Sequence, residues 1–238
     1  MVTRTGSTSK DSMYLKRMKD RIDGNSEHPR NNGVQMQAHH LISIEGMRQS
    51  GLRHKIRRFK YNINFLENLA FIPCTLQGAC YLGVQPHRGN HGSFVSQDDY
   101  DDDIEEFSYH EMVARSVKGL NLPLSKECEG SKASKDAKVK EELDKLSKII
   151  LNMIQKSPRQ AKLTSIALHF GKGGKGCGGV DSVEHHQHTT DCPVGRLHLY
   201  NSKLPGSSQK RGQNKEKIKF VTPLGYKLKV GSDEKKLR

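Results

Sequence analysis

Tryptophan is absent from this 238-residue chain, aromatic residues make up 6% of it and hydrophobic residues 33%. So little large apolar surface excludes one extensive core along the whole length and leaves part of the chain to loops and solvated tails. Cysteine is scarce as well. Cys74, Cys80, Cys128, Cys177 and Cys192 are odd in number and form no C-x-x-C pair, which argues against a disulfide framework and for a reducing site of action. No run approaches the roughly 18 apolar residues that span a bilayer, and Met1–Asp20 lacks the apolar stretch of a secretory signal. The expectation is a protein that acts in a cytoplasm and, if exported, is carried there by another machine.

Positive charge is abundant. Forty Lys and Arg against 26 Asp and Glu give a net charge of +14, a balance that favours a polyanionic partner, because each cation placed on a phosphate releases a counterion. Arg48, Arg53, Lys55, Arg57, Arg58 and Lys60 lie close together, interrupted by Leu52, Ile56 and Phe59. That pattern describes a helix face held by its apolar residues, with the cations either solvated or laid against a nucleic-acid backbone.

The pattern predicts three regions. Residues 1–33 read as a leader or linker with one short helix over Met13–Ile22. Residues 34–156 form the second region, with the densest mixture of apolar segments, histidines and turn signals in 34–95: strands at Val34–Ile42 and Leu69–Pro73, a helical stretch over Ser43–Lys60 broken near Gly51, and then helices near 107–120 and 134–156. The last of these shows Val139, Leu143, Leu146, Ile150, Met153 and Ile154 on one stripe and stops at Pro158. Residues 157–238 form a basic, Cys/His-containing region with a terminal hairpin around Phe220–Val230. Between regions of order, the acidic run from Asp98 to Glu106 lacks the offsets of a calcium loop and reads as solvated. The GKGGKGCGG segment lacks the G-x-x-x-x-G-K-[ST] pattern of a phosphate loop.

Chemistry concentrates in the histidines. His39 and His40 are adjacent on an extended segment, so their rings face opposite sides and one can bind a metal while the other faces a substrate. His87 and His91 are four residues apart, the spacing at which two imidazoles on one helical turn share an ion. One histidine of the doublet with His87 and His91 makes three neutral nitrogen ligands and leaves positions open for water or a phosphate oxygen. The other, with an ordinary pKa near 6.5, is suited to deprotonating a water at neutral pH. Asn62, Asn64 and Asn68 stand between these parts as amides able to hold an imidazole or the backbone beside it. A second cluster, Cys177, His185, His186, His188, Cys192 and His198, contains the donors of a structural zinc shell, though at irregular spacing.

The order Ala38-His39-His40, Glu67-Asn68 before an apolar run ending in Pro73, and His87-Arg88-Gly89-Asn90-His91 resembles the AHH branch of the HNH/endonuclease VII superfamily, over about 55 residues. It is similar also to the colicin-type nucleases. The resemblance implies an α+β fold with a small ββα-metal core, additional helices and a basic C-terminal region. It assigns His39, His87 and His91 as metal ligands, His40 as general base, Asn68 as its orienting residue and Arg88 as support for the scissile phosphate. The interval from His40 to Asn68 is longer than in colicin-type enzymes, so Asn62 or Asn64 is the alternative orienting amide. The activity implied is hydrolysis of phosphodiester bonds, with a divalent ion (Zn, Ni, Mg or Mn), DNA as substrate and RNA the other option. The biological setting implied is a bacterial toxin or secretion-system effector neutralised by an immunity protein. The competing reading is a non-catalytic, zinc-stabilised nucleic-acid-binding protein, with zinc near Cys177 and Cys192.

Overall fold

The computed structural model describes residues 7–87, 106–125, 128, 130–174, 176 and 226–234. His91, Arg88, the acidic run as far as Glu105 and the Cys177 to His198 cluster lie outside the described residues, as does most of the expected terminal hairpin.

Two antiparallel strands form the centre. Strand β1 (Met36–His40) pairs with β2 (Leu69–Pro73) in the register Met36↔Pro73, Ala38↔Phe71, His39↔Ala70 and His40↔Leu69. Every residue of β2 is buried, as its continuous apolar run requires, since a strand covered on both faces needs no alternation. The strands are joined by two short helices rather than a hairpin. Helix α2 (Ile44–Gln49) begins at Ser43, whose Oγ accepts the Gly46 N–H at 3.0 Å, and the helical path breaks at Gly51, in the left-handed region with φ 71°. Helix α3 (Arg53–Arg58) then buries Ile56 completely while Lys55, Arg57 and Arg58 stay exposed. The broken basic helix expected from the sequence is therefore present, anchored by one isoleucine.

Among the described residues, four further helices pack around this centre. Helix α1 (Tyr14–Ile22) buries Met18 and Ile22, one turn apart, against both strands. Within the stretch read as a leader or linker, the chain from Ser7, which bridges in parallel to Asn62, packs into the core. Its mostly polar sequence hid this, because only one narrow stripe of α1 is apolar. Helix α4 (Leu76–Leu82), capped by Thr75 and ended at Gly83, follows β2 directly. Helix α5 (Glu106–Lys118) lies across α2, so close that a Cβ on Gly46 would sit 2.5 Å from the Val113 Cγ1. Helix α6 (Lys132–Lys156) buries Val139, Leu143, Leu146, Ile150 and Ile154 along the expected stripe. Fully burying each such side chain contributes roughly 1.5–3 kcal/mol, so α6 holds the layer together more by this face than by helix propensity.

The segment 226–234 returns to the sheet, with Val230 bridging antiparallel to Ala70 and both Leu228 and Val230 buried. Gln155 receives the Leu228 N–H at 2.7 Å, and the Arg21 guanidinium donates to the Ser232 carbonyl at 3.0 Å. Glu234 is buried against His28, their Oε1 and Nε2 3.5 Å apart. The mixed helix-and-strand architecture agrees with an α+β class at the coarse level. Among the described residues no helix is long and apolar enough to cross a membrane.

Candidate active site

Strand alternation sends the two histidines of β1 to opposite faces, as their adjacency requires. His39 is 3% exposed and stands opposite Ala70, whose small side chain leaves room for a ring. His87 approaches from the loop after α4. It is not on a helix: its N–H donates to the Pro73 carbonyl at 2.8 Å, which fixes it at the far end of β2. The His39 Nδ1 and His87 Nε2 atoms lie 3.1 Å apart with ring centroids 4.5 Å apart.

The other nitrogen of His39 is occupied. Its Nε2 lies 2.9 Å from the Tyr109 hydroxyl on α5, and that hydroxyl donates its single proton to the Leu41 carbonyl at 2.7 Å. Tyr109 must then accept from His39 Nε2–H, so the lone pair of His39 is on Nδ1, facing His87. Two imidazole nitrogens bound to one tetrahedral ion at about 2.0–2.1 Å each stand about 3.3 Å apart, close to the separation here. The donor pair therefore fits a divalent ion. Burial, with a smaller contribution from Lys10, brings the His87 pKa down to about 4, so its ring is neutral near pH 7, the form that ligates metal. Among the described residues no group of three or more His, Cys, Asp or Glu side chains converges on one point. The third expected ligand, His91, and the expected phosphate contact, Arg88, fall outside those residues.

On the opposite face His40 is half-buried. Its Nε2 lies 3.0 Å from Asn64 Oδ1, and the Asn64 Nδ2 donates to the Ser9 carbonyl at 2.8 Å and to Asn62 Oδ1 at 3.0 Å. The carbonyl acceptor settles which way the amide points, so Oδ1 faces the imidazole and His40 donates from Nε2. Neutral His40 thus keeps its lone pair on Nδ1. Burial lowers its pKa, the Asn64 bond opposes that, and Lys10 adds to the lowering. The Tyr14 ring packs beside it with centroids 4.9 Å apart.

Asn68, expected to orient His40, makes no bond to it and acts elsewhere. Completely buried, it takes the Ile42 N–H at 2.7 Å and the Ser147 hydroxyl at 2.9 Å on Oδ1, and donates from Nδ2 to the Ile42 carbonyl at 3.1 Å and the Ile63 carbonyl at 2.8 Å. It pins the backbone just beyond the doublet to α6. The physical reason is position: Asn68 immediately precedes β2 and faces the loop leaving β1, whereas Asn64 lies beside the His40 ring. The amide at His40 is Asn64's, the alternative left open by the long interval. Tyr109 escaped the sequence reading altogether, since nothing local marks a tyrosine 70 positions from its histidine.

A family model described as AHH, a nuclease family of the HNH/ENDO VII superfamily with conserved AHH, matches residues 23–156, just over half of the chain. No curated protein and no solved structure matches.

Proposed function

The chain belongs to the AHH family of nucleases, and from that premise we propose that it is a divalent-metal-dependent endonuclease hydrolysing phosphodiester bonds of DNA. The observation that carries the reading is the division of labour across β1: the His39 Nδ1 and His87 Nε2 pair converges on one face, while His40 is held by Asn64 on the other.

His39 and His87 would hold the ion, with His91 as the third ligand. When bound, a divalent ion supplies Lewis-acid stabilisation of charge on the phosphate oxygens. His40 Nδ1 takes the proton of the attacking water, and its Nε2–H stays on Asn64 Oδ1, so the ring does not turn as it becomes an imidazolium. Asn68 works at one remove by keeping the Leu41–Ile42 backbone, and hence the end of β1, in place. Arg88 is proposed as a contact to the scissile phosphate.

Supercoiled plasmid incubated with metal-loaded protein should be nicked and then linearised, and a chelator should stop the reaction. Protein that binds DNA with metal present but never nicks it would instead establish the non-catalytic zinc-stabilised binder. A parallel RNA substrate decides between the two nucleic acids. The AHH resemblance extends the reading to an antibacterial toxin acting in a cytoplasm and restrained by an immunity protein, and the colicin-type similarity favours non-specific cutting of DNA.

Tyr109 should set metal affinity. Removing its hydroxyl by Tyr109→Phe frees His39 to take the other tautomer, and loss of such a supporting partner typically costs roughly 10–100-fold in metal affinity. Calorimetric titration with Zn²⁺ reads this directly. Affinity equal to that of the parent would show that Tyr109 does not govern the His39 ring.

A further inference from the structure

The residues matched by the family begin at position 23, yet one wall beside His40 is built by residues before it. Tyr14 lays its ring 4.9 Å from that of His40, and the Lys10 Nζ stands over the Tyr14 ring, 5.0 Å from its centroid. The backbone on either side of Lys10 is fixed to the same asparagine that holds His40: Ser9 accepts from Asn64 Nδ2 at 2.8 Å and the Asp11 N–H donates to Asn64 Oδ1 at 3.3 Å.

Charge is apportioned unequally here. Arg17 donates to both oxygens of Asp11, at 2.9 and 2.7 Å, so these two charges neutralise each other. Lys10 is exposed, and among the described residues no carboxylate pairs with its ammonium. An unneutralised ammonium on a flexible stem, seated on the aromatic ring that packs against His40, has the chemistry of a phosphate contact.

We propose that Lys10, carried on Tyr14, binds a phosphate of the nucleic-acid substrate at the edge of the active site, so that the segment preceding the matched residues supplies part of the substrate contact. This rests on the reading of the site as a nuclease.

The test uses the full chain with His40→Ala, which removes hydrolysis, and measures binding of a DNA duplex over a series of KCl concentrations. Adding Lys10→Ala should reduce the slope of log affinity against log salt by about 0.9, the value for one lost phosphate contact. Lys10→Arg should restore it. Lys19→Ala serves as the control, since Lys19 is exposed on α1 about 140° around the helix from Tyr14 and should leave the slope unchanged. A slope untouched by Lys10→Ala, or shifted equally by Lys19→Ala, overturns the assignment. Absence of plasmid nicking by the wild-type chain would instead defeat the nuclease reading, and the slope would still report the Lys10 contact.

Discussion

His40→Ala is expected to lower plasmid cleavage by at least about a hundredfold and by up to about ten-thousandfold, the range that a positioned general base contributes. Metal binding and thermal stability should stay near the parent values, because the His40 ring is half-buried and faces away from the His39 and His87 nitrogens. His87→Ala should behave in the opposite sense and lose the ion first, with cleavage failing as a result. The pair of variants therefore separates proton transfer from metal retention, which a single inactive mutant cannot do. Calorimetry with Zn²⁺ beside the plasmid assay reads both quantities. Equal loss of metal from the two variants would overturn the division of roles across β1. Expressed inside a bacterium, the wild-type chain should reduce viable counts and the His40→Ala chain should not.

Asn68→Ala is expected to remove about 3–5 kcal/mol of stability, a large share of the roughly 5–15 kcal/mol typical of a folded domain. Four hydrogen bonds end on this one side chain in a fully buried place. Truncation strands the Ile42 N–H, the Ile42 and Ile63 carbonyls and the Ser147 hydroxyl, and each buried group left unpaired costs about 1–3 kcal/mol before any relaxation. Ser147 also bonds to the Leu143 carbonyl at 3.1 Å, which limits its share. Asn68→Asp should not rescue the fold, since it keeps the acceptor but sets a carboxylate oxygen against two carbonyls. Urea denaturation gives the comparison, and a change below about 1 kcal/mol would show that the amide does not lock β1 to α6.

The strands were legible because their apolar content is concentrated: Leu69–Pro73 is an unbroken buried run closed by a proline. The break at Gly51 and the stripe of α6 were legible for equally local reasons, a left-handed glycine and a repeat of large apolar residues. Helix α4 was not. Gly78 reads as a turn signal, whereas in the fold its N–H is the group that Thr75 caps. The histidine doublet announced itself, and the comparison with known families agrees with the resemblance drawn from it. Which asparagine serves His40 was undetermined, because composition reports that an amide is nearby and not where it points. Asn64 reaches the ring across 24 residues and Tyr109 reaches His39 across 70. Contacts of that kind are fixed by the packing of α1, α5 and the sheet, and no local pattern encodes them.

The return of residues 226–234 to the sheet has a consequence for timing. Val230 covers the second edge of β2 at Ala70, yet it lies 157 positions after Pro73. At a synthesis rate of roughly 5–20 residues per second, about 8 to 30 s separate the emergence of β2 from that of the segment that closes it. During this interval the edge at Ala70 stays open to pairing with a chaperone or with the same strand of another nascent copy. Closure of this edge therefore waits for residues 226–234, and slower translation downstream of β2 should prolong its exposure to aggregation.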